Sequence, residues 1–351
     1  MPSAVEFRSV VKQYGAVRAV DDISFTIEPG TLVTLLGPSG CGKTTTLRLI
    51  AGLEIASAGQ VLIGGEDVTL RSAADRDVSM VFQSYALFPH MSVFENVAYG
   101  PTVQGLSKAK IRDLVHEKLS LVGLTGLEKR APSELSGGQQ QRVAVARALI
   151  LEPQVLLFDE PLSNLDAKLR RRVREEIREL QLKLNLTVAY VTHDQEEALA
   201  VSDRIIVMVD GRIAQAGTPV ELYEQPASRF VADFIGDANL VAAELVEERG
   251  ERALVRLGQL DLELPRRGAR KGPVTLALRA ESMTLHNARP NAPAFPGQVS
   301  KASYLGKHRE YSIETPLGMF FVIDRSDMGL LPPGSEVWLA PITRSIVVVP
   351  D

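Results

Sequence analysis

The sequence predicts two parts: an α/β domain built on a parallel sheet, then a small all-β domain. Three observations carry this. Gly37-Pro38-Ser39-Gly40-Cys41-Gly42-Lys43-Thr44 satisfies G-x-x-x-x-G-K-[ST], a phosphate-cradling loop set between a strand-like and a helix-like run. Apolar runs ending in polar groups recur at Gln83, Asp159-Glu160 and His193, as expected of a sheet that presents ligands at its carboxyl edge. Near Gly236 the texture changes to short alternating β-rich runs divided by glycines and prolines. At 351 residues the chain is also too long for one ordinary core.

Composition narrows the classes. With 45% hydrophobic and 23% charged residues the chain reads as soluble and globular. A net charge of −4 gives no general attraction to nucleic acid. The basic cluster Arg266, Arg267, Arg270 and Lys271 reads as a solvated turn. The single cysteine, Cys41, excludes an intrachain disulfide and fits a reducing compartment. Met1 to Glu6 lacks the pattern of a secretory signal. The longest uncharged stretch, Val78 to Phe94, contains Gln83, Pro89 and His90 and does not read as a membrane span. Work at a membrane would need another chain to provide the crossing.

Taken in order, Val5 to Val11 and Ala19 to Ile27 read as strands joined by a Tyr14-Gly15 turn. Tyr14 either stacks on a purine face or simply packs. Thr31 to Leu36 is a buried strand feeding the glycine loop, and Thr44 to Gly52 is a helix. Gly59 to Ile63 and Val78 to Phe82 are further strands. The aromatic and apolar residues from Tyr85 to His90 suit either a docking surface or core under a long connection. Ser107 to Leu124 has the spacing of an amphipathic helix. Leu135-Ser136-Gly137-Gly138-Gln139-Gln140-Gln141-Arg142 then leads into a helix at Val143 to Ile150, with Ser136 placed as an N-cap. Val155 to Phe158 is a buried strand, Ser163 to Asp166 a polar turn and Ala167 to Leu184 a charged helix with i,i+4 pairing. Thr187 to Thr192 is a strand ending at His193-Asp194. A hairpin turns at Asp210-Gly211, and helices follow at Thr218-Pro219 and Ala227 to Ile235. Beyond Asn239, runs such as Ala253 to Leu257, Val274 to Leu278, Tyr311 to Glu314 and Ser345 to Val349 suggest a small β-barrel.

The chemistry explains the residue types. Glycines let successive N–H groups point at phosphate oxygens, aided by the positive end of the helix. Lys43 adds a point charge near the β- and γ-phosphates, and the Thr44 hydroxyl is a ligand for Mg²⁺. Asp159 fits the strand-end carboxylate that holds Mg²⁺, and Glu160 stands one residue on, as the acceptor of a proton from attacking water. Gln83 suits water or Mg²⁺, or is a plain polar loop residue. His193, the third polar strand end, is expected to contact the γ-phosphate. The other histidines have no metal-ligand spacing. Two glycines before a helix at Ser136 to Gln139 make a second anion-binding helix start, without a lysine of its own.

The order Gly37–Thr44, Gln83, Leu135–Arg142, Asp159-Glu160, Asp166, His193 resembles the ATP-binding subunits of ABC transporters, and Leu135-Ser136-Gly137-Gly138-Gln139 resembles their signature motif. The likeness runs continuously from about residue 4 to 236. It implies an ABC ATPase domain over 1–236, with a helical subdomain near 90–150, and a C-terminal oligonucleotide/oligosaccharide-type (TOBE) domain over 237–351. It implies ATP and Mg²⁺, bound through Gly37 to Thr44 and the adjoining Thr45. It implies a head-to-tail homodimer in which Ser136, Gly137, Gly138 and Gln139 of one copy seal the ATP of the other. Tyr14 becomes the adenine stacker, Gln83 the Mg²⁺ and water sensor, Glu160 the general base, His193 the γ-phosphate switch and Asp166 a residue of the dimer seam. Membrane permease subunits would dock after Gln83, and a solute-binding protein would act upstream. The chain would then work at the cytoplasmic face of the cell membrane.

The C-terminal landmarks are Phe234 to Leu240, Leu278-Arg279-Ala280-Glu281 and Tyr304-Leu305-Gly306, resembling importer ATPases. Ala280 stands where many relatives have proline, and Pro101 where leucine is common. Thr31 to Thr46 and Phe82 to Gly100 look most like ferric-iron importers, with polyamine (spermidine/putrescine) and phosphonate importers as alternatives. A soluble ABC ATPase of DNA repair or translation would carry a coiled-coil insertion or two fused units, neither of which is present. A GTP switch would need an Asn-Lys-x-Asp element, and no asparagine here precedes lysine.

Overall fold

A computed structural model describes residues 5–326 and 328–349. The ends of the expected domain limits, and part of the Met1 to Glu6 reading, lie outside the described residues. Contacts divide the chain into Met1–Pro219 and Val220–Asp351.

In the first unit a six-stranded sheet runs in the order Arg212–Gly217, Arg204–Val209, Leu32–Leu36, Thr187–Thr192, Val155–Asp159, Val78–Val81. Every pairing is parallel except that of Arg212–Gly217, which closes the hairpin. The strands alternate between two cores, as a sheet buried on both faces must. Leu32, Leu156, Phe158, Val188 and Tyr190 face one cluster with Val143, Val173 and Ile177. Val33, Leu35, Leu157, Ala189 and Val191 face the other, with Leu47 and Ile50 of the loop helix Lys43–Ala51. That second cluster also holds Val5, Phe7, Val20 and Ile27 from an antiparallel sheet ordered Val17–Ile27, Val5–Tyr14, Ala58–Ile63, Glu66–Asp67.

The register explains the site. Leu36 pairs with Thr192, Asp159 with Val191 and Val81 with Phe158, so four strands end together at one carboxyl edge.

Two helices differ from expectation. Val93–Val103 is a helix despite Pro101, opened by a capping box between Ser92 and Glu95. The helix after the second glycine pair starts at Gly137, not Val143, because Ser136 and Gln139 cap each other. Both helices pack with Lys108–Leu121 in the first cluster, through Val97, Val115 and Ala146.

Among the described residues the second unit holds ten strands in two five-stranded antiparallel sheets. Leu245, Val255 and Leu276 from one sheet share a core with Val299, Ile313, Phe320 and Leu339 from the other. The expected barrel thus takes the form of two sheets around one core. Helices Pro219–Glu224 and Arg229–Phe234 are bound to it by Arg279, 1% exposed. Its guanidinium donates to the carbonyls of Ala232 (2.7 Å), Ile235 and Tyr223 (2.6 Å). Gly236 sits at φ +92, where a Cβ would lie 2.7 Å from the Tyr223 ring. The landmarks around residues 236 and 279 are one joint.

Candidate functional site

The glycine loop is shaped by backbone that side chains would block. Gly42, the N-cap of Lys43–Ala51, has φ +103, and a Cβ there would lie 2.3 Å from the Ala19 carbonyl oxygen. It offers no side-chain cap, so the first N–H groups of the helix are left for a ligand. Gly37 is pressed equally hard, against the Met208 carbonyl and Cys41. Lys43 is buried and folded back on its own loop, donating to the carbonyls of Gly37 (2.7 Å) and Pro38 (2.8 Å). Cys41 is buried beneath it, its Sγ 3.7 Å from Lys43 Nζ. Ser39 and Gly40 are exposed at the loop's tip.

Across the carboxyl edge, Thr44 Oγ1 donates to Asp159 Oδ1 at 3.4 Å. Burial pushes the Asp159 carboxyl above its usual range; the Thr44 bond opposes this, and the neighbouring Glu160 charge adds to it. Glu160 is held in the left-handed region at φ 43 by its N–H bond to the Val191 carbonyl and by Ser163 on its own carbonyl. Such a conformation costs a non-glycine residue roughly 1–3 kcal/mol and aims the side chain out of the strand line. Two groups meet Glu160 Oε2: Gln83 Nε2 at 3.5 Å and His193 Nδ1 at 3.1 Å. Three strand ends therefore converge on one carboxylate oxygen.

Tyr14 stands 45% exposed beside the loop helix, bonded to Glu54 and Thr45. Burial first, then the Glu54 bond, pushes its phenol up. Lys12 lies 4.8 Å from the ring centroid, leaving one face to stack on a base.

The second glycine pair behaves differently. Ser136 Oγ accepts from the Gln139 N–H at 3.4 Å, and Gln139 Oε1 accepts from the Ser136 N–H at 2.9 Å. Gly137 and Gly138 abut Leu165 and Leu169, each 3.1 Å from where a Cβ would stand. Asp166 caps the helix Ala167–Leu184 by accepting from Lys168 and Leu169. Among the described residues no hydrogen bond joins 135–139 to the glycine loop 37–45. So Lys43, Thr44, Asp159, Glu160, Gln83 and His193 form one site with Tyr14 alongside, while Ser136, Gly137, Gly138, Gln139 and Asp166 belong to a separate surface.

Several residues escape a reading of the sequence. Ser163 accepts from Gln83 at 3.2 Å, and Asn164 donates to the Gln83 carbonyl at 3.0 Å. The His193 turn rests on a buried set: Glu197 accepts from Tyr190 and from Thr192 (2.9 Å), while Thr192 accepts from the Asp194 N–H. Burial pushes the Glu197 carboxyl up. Arg170 spans Asp194 and the Leu165 carbonyl, joining this turn to the one before Asp166. The signal available was the polar turn 163–166 itself; Arg170 looked like one more charge on a solvated face.

Comparison with known proteins follows the same division. The ABC transporter family model matches residues 20–163, and the TOBE domain model matches 276–349. The chain is 59% identical over 348 residues to the protein named Fe(3+) ions import ATP-binding protein FbpC of Rhizobium etli, covering 99% of this chain and 98% of that one. It is 56% identical to the protein of the same name from Brucella abortus, over 99% and 98% of the two chains. For the one from Escherichia coli O157:H7 the identity is 53%, over 88% and 87%. Among solved structures, CbiO1 of Clostridium perfringens, described as part of the ABC transporter complex CbiONQ, superposes with a TM-score of 0.59 at 28% identity. It covers 63% of this chain and 90% of its own.

Proposed function

The chain belongs to the ATP-binding proteins of ABC transporters and hydrolyses ATP, and from that premise we propose that it powers the import of ferric ions. The observation that carries the solute is near-full-length identity of 53–59% to proteins named for Fe(3+) import. Polyamine or phosphonate import is the alternative.

The residues have assignable parts. Lys43 exchanges two loop carbonyls for phosphate oxygens, trading neutral acceptors for charged ones, which bind roughly twice as strongly. Tyr14 stacks on the adenine. Glu160 takes a proton from the attacking water, and Gln83 and His193, already on its Oε2, orient that water and the γ-phosphate. Thr44, Asp159 and Gln83 offer only oxygen ligands, and no cluster of three His, Cys, Asp or Glu side chains occurs among the described residues. That set fits Mg²⁺, which takes one or two protein oxygens and completes its shell with phosphate and water. Bound there, Mg²⁺ would neutralise charge developing on the phosphates and relieve the crowded Asp159 carboxylate.

The second glycine pair seals the ATP of another copy, head to tail. Its remoteness by hydrogen bonding from its own loop supports this reading. Permease docking is supported by a groove of about 560 Å³ beside Met91, Phe94, Ala98, Tyr99, Leu106 and Ile111. Arg147 of the signature helix donates to the carbonyls of Tyr85 and Ala86, so a force on that segment reaches both Gln83 and Ser136. No described helix is long and apolar enough to cross a membrane; the family's pairing with permeases supports a place at the cytoplasmic face of the cell membrane.

Radiolabelled uptake decides the solute. A strain lacking this chain should lose uptake of ferric iron and regain it with the intact chain but not with Glu160→Gln. Intact iron uptake with lost spermidine, putrescine or phosphonate uptake would transfer the assignment to the alternative.

A further inference from the structure

The unit Val220–Asp351 contains a cavity of about 180 Å³ lined by Arg267, Arg279, Arg344, Tyr223, Glu224 and Ser345. Three guanidinium groups thus face one lining carboxylate. Of the two other acids whose charge reaches Arg279, Glu281 and Asp237, the first is occupied by the Tyr223 hydroxyl. Arg325 adds a further positive charge within electrostatic reach of Tyr223.

These arginines are not spent on ordinary ion pairs. Arg266, their neighbour in the chain, is paired with Glu248, and Arg270 and Lys271 lie on the same side of that acid. Arg267 is different: it lines the cavity, at φ 52, with no carboxylate in ion-pair distance among the described residues. Arg344 is equally unpaired among them. The basic turn that looked uniformly solvated in sequence is therefore divided in two. Arg279 is the fixed wall. It is 1% exposed, lies 4.3 Å over the Tyr223 ring, and its Nη atoms make three hydrogen bonds to carbonyls, yet its buried Nε has no partner. A buried N–H without an acceptor is costly, on the order of 1–3 kcal/mol, and marks a place where an acceptor is missing.

We propose that this cavity binds a small oxyanion of the phosphate or sulfate class. At about 30 Å³ per water-sized group, the space admits only a handful of non-hydrogen atoms. The unpaired guanidinium forks of Arg267 and Arg344, with the Ser345 hydroxyl in the same lining, suit tetrahedral oxygens. Three arginines against Glu224 leave the lining net positive, and because the attraction grows with the ligand's charge a dianion is favoured over a monoanion. None of the residues lining the cavity belongs to the glycine loop or to the strand ends of the ATP site.

Calorimetric titration with inorganic phosphate, and separately with sulfate, tests this on the full chain. Lys43→Ala is the background, so that the glycine loop does not contribute. Saturable one-site binding is expected, weakened at least about tenfold by combined Arg267→Ala and Arg344→Ala, both exposed positions. In the Lys43-intact chain that double variant should keep its melting transition and basal ATP hydrolysis. Absence of saturable binding, or equal affinity in the double variant, overturns the site. Citrate binding tighter than phosphate and sulfate, and lost in the double variant, overturns the assignment to tetrahedral oxyanions.

Discussion

The two glycine-bearing helix starts of the ATPase unit differ in who occupies their donors. At Gly42 there is no side chain to cap the helix, and φ +103 holds the loop open, so the N–H groups wait for a ligand. At Ser136 the helix caps itself reciprocally with Gln139, and its glycines lie in ordinary helical geometry. The first start is preorganised for phosphate; the second is satisfied until something better arrives. Preorganisation carries a cost that appears as buried Lys43, a strained Glu160 and a crowded Asp159. The self-capped start carries none, as the proposed dimer would require of a surface that meets its ligand only when a second copy brings it.

The largest test of that contrast removes the carboxylate proposed as general base. Glu160→Gln should cut turnover by roughly 10²–10⁴-fold while ATP still binds. With ATP and Mg²⁺ it should sediment as a dimer and without ATP as a monomer. A variant that binds ATP tightly yet stays monomeric would leave the Ser136 helix without a ligand and break the comparison.

Paired glycine substitutions come next. Gly42→Ala places a Cβ 2.3 Å from a backbone oxygen at a positive φ, so ATP affinity of the single protomer should fall roughly ten- to a hundredfold, read by nucleotide fluorescence. Gly138→Ala meets only the mobile end of Leu169, at 3.1 Å. Protomer affinity should be unchanged and stability lower by no more than about 1 kcal/mol. Turnover should still fall, roughly tenfold or more, because in the proposed dimer a methyl group would stand where the other copy's phosphate approaches. Equal losses of protomer affinity in both variants would mean that the two starts serve one ATP within one chain.

Much of this site was legible in the sequence, and the reasons are specific. Strand ends announce themselves when four apolar residues run into a carboxylate, as at Val155 to Glu160, and parallel register then brings such ends together. What stayed hidden depended on side chains answering each other across short gaps. Val93–Val103 was obscured by Pro101 and by its aromatic residues, although Ser92-Val93-Phe94-Glu95 carries a capping box. The signature helix was read six residues short because the Gly137-Gly138 pair has poor propensity, which the Ser136–Gln139 reciprocity offsets. Arg170, and the bonding role of Arg279 within its landmark, stayed hidden for a different reason. Nothing local distinguishes an arginine that stitches two turns together from one that faces water.

The smallest effects should carry opposite signs at the two starts. Ser136→Ala removes a cap and should lower stability by about 1 kcal/mol. Asp159→Asn should do the reverse. The folded protein holds the Asp159 proton more tightly than the unfolded chain, because burial pushes its carboxyl up. The stability linked to that proton is complete below the ordinary carboxylate range and is lost as pH rises through the raised native value. At neutral pH the ionised group is therefore a liability, and an amide of the same shape removes it. Asp159→Asn should raise Tm at pH 7 by on the order of 2 °C, with the gain shrinking as pH falls through the native Asp159 value. Mg²⁺-dependent ATP hydrolysis should collapse in the same variant, since an amide offers the cation no charge. A Tm gain independent of pH would detach the effect from the Asp159 proton; a Tm loss at pH 7 would mean that the carboxylate stabilises the resting site, leaving the two helix starts alike in cost.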